Sequence, residues 1–149
     1  MKSNLELHNI IVRESTIEDI DKIYNLSTLC FSNSWNYNSF ESDFNNIFSK
    51  YISLIYCNKL IGFLTSIIVM EEVTITNIAI SKEYRGNGLS KYLLEYLINL
   101  YPNFEFFLEV RESNEVAINL YKSFNFKEIS IRLNYYTNPK ENALIMKKF

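Results

Sequence analysis

Histidine is nearly missing from this 149-residue sequence, which has a single copy, His8, near its start. A Ser-His-Asp or Cys-His device would have to be built on that one residue, and a zinc site would lack its usual ligands. Proton transfer therefore falls to carboxylates, phenols, amines or water, and no metal is expected. Cysteine is scarce as well: Cys30 and Cys57 stand apart, with no ligand-like spacing, and are expected as buried free thiols. Long apolar runs are absent. The longest, Leu60 to Met70, is interrupted by Thr65 and Ser66 and is too short to span a bilayer, and the opening MKSNLELHN has no apolar signal core. The expectation is a cytoplasmic chain with no membrane partner. No basic run occurs and the net charge is −2, which argues against direct nucleic-acid binding.

What is present is a chain 48% hydrophobic and 21% charged, enough for one domain over residues 1–149 with a substantial core. Only three glycines occur, and two of them, Gly86 and Gly88, sit one residue apart in YRGNGLS (Tyr84 to Ser90), where a strand pattern gives way to a helical one. Amides of a helix's first turn have no intrahelical acceptor and the helix dipole adds positive charge there, so a loop without side chains lets an anion approach. Arg85 and Lys91 add charge at its edges. The loop reads either as a diphosphate cradle or as a glycine-containing turn into a surface helix. Neither the Walker A spacing nor the dinucleotide fingerprint is present, since Lys91 stands where the latter needs a third glycine.

Periodicity supplies the rest of the order. Leu7 to Arg13 reads as a strand, followed by a Ser15–Glu18 capping box and a helical stripe at Ile20, Ile23, Tyr24, Ser27 and Phe31. Asn38 with Glu41 signals a second helix carrying Phe40, Phe44, Ile47 and Phe48. Between the two lies Trp35, the only tryptophan, which reads either as packing or as the wall of a substrate groove. Strands follow at Tyr51 to Tyr56, Leu60 to Val69 and Val73 to Ile80. After the glycine loop, Leu89, Leu93, Tyr96, Leu97 and Leu100 mark a helix stopped before Pro102. Phe104 to Val110 is a very apolar strand, expected in a buried sheet position. A helix over Asn114 to Phe124 and strands through Ile129, Ile131, Leu133 and Ala143 to Met146 close the chain. The order βααβββαβαββ predicts an α+β fold, a mixed sheet flanked by helices.

With the loop placed between strand and helix, Arg85, Gly86, Asn87, Gly88, Leu89 and Ser90 resemble the [RQ]-x-x-G-x-[GA] acyl-CoA pyrophosphate motif of the GNAT N-acetyltransferase superfamily, and the element order resembles that fold. TNIAI (Thr76 to Ile80), LEVRESN (Leu108 to Asn114), AINLYKSFNF (Ala117 to Phe126), RLNYY (Arg132 to Tyr136) and ENALIM (Glu141 to Met146) are similar to the bacterial ribosomal-protein alanine N-acetyltransferases. Departures are Ser90 at a position preferring Gly or Ala, Asn125 for a glycine after the helix, Ser34 for a proline before Trp35, and Asn142 for an aspartate. Asn is the next most permissive residue for a left-handed helix end.

The resemblance implies transfer of acetyl from acetyl-CoA to the N-terminal alanine of the eighteenth small-subunit ribosomal protein, with that protein's N-terminal segment as partner and the enzyme a monomer or weak dimer. It implies Glu109 as general base, acting directly or through water, and Tyr121 as proton donor to the departing sulfur. Phenol to thiolate transfer is uphill by about 2 kcal/mol in reference terms, so hydrogen-bond donation is the firmer expectation. The backbone of Ile78, Ala79 and Ile80 is expected on the pantetheine and acetyl carbonyl, Asn114 on the cofactor or as a helix cap, and Tyr135 and Tyr136 in the substrate groove. Acetylation of another amine, such as a lysine, polyamine or small molecule, and a non-catalytic acyl-CoA-binding module are the alternatives.

Overall fold

Helical and alternating apolar periods fall where the expected elements do. The computed structural model describes residues 5–149, with β1 Ile10–Glu14, α1 Ile20–Cys30, α2 Tyr37–Phe44, β2 Ser49–Tyr56, β3 Lys59–Val69 and β4 Glu72–Ile80. Then come α3 Ser90–Leu100, β5 Glu105–Arg111, α4 Glu115–Ser123, β6 Lys127–Thr137 and β7 Lys140–Lys148, the βααβββαβαββ succession read from the sequence. The strands form a seven-stranded mixed sheet in the order β1-β2-β3-β4-β5-β7-β6. The β4–β5 pair is parallel, while β1–β2, β5–β7 and β6–β7 are antiparallel. The chain divides into two units, one running to Ser66 and from Asn77 to Pro102, the other comprising Ile67–Thr76 and Asn103–Phe149.

In the first unit α1 buries Ile20, Ile23, Leu26 and Ser27. Ile20, Ile23 and Leu26 pack with Phe40, Tyr51, Leu60, Phe63 and Ala79. Fully burying a Leu, Ile or Phe side chain contributes about 1.5–3 kcal/mol over leaving it exposed, so this stripe is what holds α1. The capping box sits one residue later than expected, at Thr16 and Asp19, because a 3-10 turn over Ile17–Asp19 precedes the helix. The Asp19 carboxylate accepts the Thr16 N–H at 2.7 Å and both Arg13 guanidinium nitrogens at 2.6 and 3.0 Å. Ser15 instead shares a 2.6 Å hydrogen bond with Ser53. Leu7–Asn9 form a 3-10 turn and not a strand, closed by Asn9 N–H on the Glu6 carbonyl at 2.9 Å.

α2 is likewise capped two residues earlier than expected, by Asn36, whose Oδ1 accepts the Ser39 N–H at 2.8 Å. It ends at Phe44, leaving Ile47 and Phe48 beyond the helix and exposed. The cysteine expectation also changes: Cys30 is half-buried and Cys57 exposed. Cys57 and Asn58, with φ of 48° and 64°, make the two-residue link between β2 and β3, where a hairpin's twist demands two left-handed residues. Within α3, Leu93, Leu94 and Leu97 are buried, and Leu100, counted in the expected stripe, is exposed. At Gly62 a Cβ would stand 2.7 Å from Ile80 Cδ1 and 3.0 Å from the Ala79 carbonyl oxygen, so β3 and β4 approach too closely for a side chain there.

In the second unit β4 pairs with β5 from Glu72↔Glu105 to Ile75↔Leu108. Phe106, Leu108 and Val110 of β5 are buried, while Glu105, Phe107, Glu109 and Arg111 alternate with them, half-buried. The strand lies inside the sheet between β4 and β7, the buried position its composition suggested, with one face buried and the other half-buried. α4 is capped by Asn114, whose Oδ1 accepts the Ala117 N–H at 3.2 Å, and Asn125 takes the left-handed conformation expected after it, φ 69°. The Phe126 ring then packs 5.7 Å from Tyr121 and 6.4 Å from Phe106.

β6 slips register against β7 twice, between Glu128 and Ser130 and between Arg132 and Tyr136. Its Ile129, Ile131 and Leu133 alternate as a strand should, yet all three are exposed and contribute little core. Among the described residues no helix is long and apolar enough to cross a membrane.

Candidate active site

The expected residues fall into two groups, one in each unit. In the first unit the loop after β4 holds Gly86 at φ 82° and Gly88 at φ 70°, conformations that side chains disfavour. A Cβ at Gly86 would meet nothing within 4 Å, and one at Gly88 would meet only Lys91 Cδ at 4.0 Å. The corner is therefore bare, and its glycines are required by backbone conformation and not by crowding. Asn87 braces it, donating from Nδ2 to the Tyr84 carbonyl at 2.9 Å. Ser90 opens α3, with Leu89 buried just before it and Lys91 exposed just after.

Arg85 is turned back toward the chain: Nε donates to the Ile80 carbonyl at 2.9 Å and Nη2 lies 3.4 Å from Cys30 Sγ. The Cys30 thiol also donates to the Ile80 carbonyl, at 3.8 Å. Ile78 is half-buried, with Ala79 and Ile80 buried at the end of β4, beyond the stretch paired with β5. Trp35 keeps both readings. Its ring packs 5.2 Å from Phe40, and it lines an open polar depression of about 530 Å³ with Asn36, Asn38, Ser39 and Asp43.

In the second unit, Glu109, Tyr135 and Tyr136 come together. Glu109 Oε1 lies 3.0 Å from Arg132 Nη1, and its carboxylate accepts the Tyr135 hydroxyl. That hydrogen bond, with burial and the carboxylate's charge, raises the Tyr135 phenol above its ordinary pKa against the opposing pull of Arg132. Burial raises Tyr136, with the Glu109 charge adding and Arg111 opposing. The two rings meet edge to face at 5.1 Å.

Tyr121, reached by the buried face of α4, is raised strongly, chiefly by burial and secondarily by Tyr136. A phenol so shifted stays protonated at any working pH and can donate a hydrogen bond. Asn114 is occupied as the α4 cap through Oδ1, leaving its Nδ2 as the group a ligand could accept from.

Sequence reasoning missed Arg132, Arg111, Glu141 and the part played by Asn142. Asn142 Oδ1 accepts the Asn134 N–H at 2.9 Å, where Asn134 is left-handed at φ 56° inside the second register slip. A bulge re-aims neighbouring side chains, so this one sets where Tyr135 goes. The only advance signal was that Arg111 lies two residues past Glu109 and so shares its strand face. Among the described residues no group of three or more His, Cys, Asp or Glu side chains is arranged to hold a metal.

Residues 20–126 match the acetyltransferase (GNAT) family. A ribosomal protein bS18-alanine N-acetyltransferase of Escherichia coli strain K12 is 35% identical over 135 residues, covering 86% of this chain and 89% of that protein. The enzyme of the same name from Haemophilus influenzae is 35% identical over 136 residues, covering 86% and 90%. The crystal structure of the ribosomal-protein-S18-alanine N-acetyltransferase from Escherichia coli superposes with a TM-score of 0.87 at 31% identity, covering 93% of this chain and 92% of that one.

Proposed function

The chain belongs to the GNAT family of acetyltransferases, and from that premise we propose that it acetylates the N-terminal alanine of a ribosomal protein, bS18 being the substrate for which its bacterial relatives are named. Bound acetyl-CoA supplies the acetyl group as a thioester. The residues of the glycine loop fit such a ligand: Gly86 and Gly88 leave the corner open at their positive φ, and the amides of the first turn of α3 suit a diphosphate. Asn87, Leu89, Ser90 and Lys91 complete that loop, with Arg85 bracing it through Ile80. Ile78 and Ala79 offer backbone amide and carbonyl groups to the rest of the ligand, as Asn114 offers its Nδ2.

Glu109 takes the proton that the peptide's amine must lose, directly or through water. An α-amine has a pKa near 8, against about 10.4 for lysine, so an N-terminal substrate asks far less of a carboxylate base. Tyr121 donates a hydrogen bond to the departing sulfur and keeps its proton, since burial has moved its phenol further from a thiol's range. Tyr135, Tyr136 and Trp35 receive the peptide. The observation that carries the reading is the Glu109 carboxylate gathered with Arg132 and two tyrosines on residues expected to meet the substrate.

The protein works in the cytoplasm as one catalytic domain, monomeric or weakly dimeric, without nucleic acid or membrane. Intact-mass analysis of ribosomal proteins from cells with and without the chain tests this. Loss of one acetyl group from the alanine terminus in its absence is expected, and an unchanged mass would overturn the assignment.

A further inference from the structure

We propose that Arg111 is a positioning residue that fixes the β6–β7 turn and Tyr136, and through them the peptide side of the reaction; this rests on the role given above to Glu109. Arg111 follows Glu109 by two residues on the same face of β5. Its guanidinium makes four contacts with the neighbouring hairpin. Nη1 donates to the Pro139 carbonyl at 3.0 Å, Nη2 donates to the Asn138 carbonyl at 3.3 Å, and Nη1 lies 3.3 Å from Glu141 Oε2. The Cζ atom stands 4.2 Å over the Tyr136 ring.

Glu141 fixes the guanidinium in turn. Its Oε1 accepts the Ser113 N–H at 2.6 Å, one residue before the Asn114 cap of the helix that carries Tyr121. One planar fork thus joins the strand of Glu109, the start of Tyr121's helix and the turn below Tyr135 and Tyr136. Thr137↔Lys140 closes that turn, and its two carbonyls point to a single acceptor-free cation. A lysine could keep the ion pair but has neither the fork for two carbonyls nor the plane to stack on a ring.

Arg111→Gln and Arg111→Lys, in the full chain, test the proposal by steady-state kinetics with an alanine-initiated peptide and by 19F NMR of 3-fluorotyrosine-labelled protein, the Tyr136 signal being assigned with Tyr136→Phe. Expected for Arg111→Gln is a rise of about tenfold in peptide KM, as for the loss of charged hydrogen bonds, with acetyl-CoA KM unchanged and the Tyr136 resonance displaced. Arg111→Lys should fall between the two and keeps the test alive if the glutamine variant fails to fold. An unmoved peptide KM and Tyr136 signal, or equal rises in both KM values, would overturn it. If the wild type acetylates no peptide, the function proposed above fails, and the 19F signal alone then decides for or against the clamp.

Discussion

The glycine loop and the β6–β7 hairpin are built in opposite ways. In the loop, the backbone sets the geometry: Gly86 and Gly88 turn left-handed, a Cβ would meet nothing at Gly86 and only Lys91 Cδ at 4.0 Å at Gly88, and the residues that shape it, Tyr84 to Lys91, are consecutive. In the hairpin region, side chains from separate stretches meet: Glu109 and Arg111 from β5, Arg132, Tyr135 and Tyr136 from β6, and Glu141 and Asn142 from β7. A site made of contiguous backbone tolerates exchange of its side chains as long as φ is respected. A site made of converging side chains is more sensitive to exchange, because each side chain is held by the others.

The largest effect should come from the second kind. Glu109→Gln keeps the shape of the side chain and removes its basicity, and should lower kcat by about 100- to 1,000-fold, within the range for general acid–base catalysis. Pre-steady-state and steady-state rates check it; a loss under threefold would mean that the amine arrives without needing this carboxylate. Tyr121→Phe should follow, at about 10- to 100-fold in kcat, with acetyl-CoA affinity retained because the ring still fills its buried place beside Phe126.

The loop should answer to conformation instead. Gly88→Val places a β-branched residue at φ 70°, where the left-handed region costs about 1–2 kcal/mol, and should weaken acetyl-CoA binding about tenfold by calorimetry. Asn87→Ser, which keeps φ free, should weaken it less. Reversal of that order would erase the contrast between the two regions.

The pH profile sharpens the contrast further. Activity on a peptide should rise as its α-amine loses a proton near pH 8 and then stay level. Because the folded-state pKa of Tyr121 is raised, its proton is retained until the pH exceeds that raised value, so it produces no alkaline fall in the working range. A fall near pH 10, the value of an unburied phenol, would contradict that placement. The smallest effect should be on stability. Gly62→Ala meets the Ala79 carbonyl at 3.0 Å and should cost about 1–3 kcal/mol. In a chain of this size each kcal/mol lowers Tm by about 2–4 °C, which a thermal melt reads.

The same contrast explains what could be read in advance. The element order, the loop and the left-handed Asn125 are local patterns, legible because period, glycine spacing and helix ends are written in neighbouring residues. The helix starts at Thr16 and Asn36 were displaced by one or two residues because several Ser, Thr and Asn offer caps, and the burial of Asp19 against Arg13 decides among them only in three dimensions. Arg132 beside Glu109, and Arg111 across the Asn138–Pro139 turn, depend on strand pairing and on a register slip that no spacing announces. Glu109, Tyr135 and Tyr136 were named from the motifs; the cations beside them, Arg132 and Arg111, were not.

The most direct measurement is acetyl-CoA turnover by the purified protein on a panel of peptides identical except at their first residue. Expected is a kcat/KM highest for the peptide beginning with alanine and negligible for one whose α-amine is blocked and whose only free amine is a lysine. Equal turnover of the blocked lysine peptide, or no preference for alanine, would contradict it.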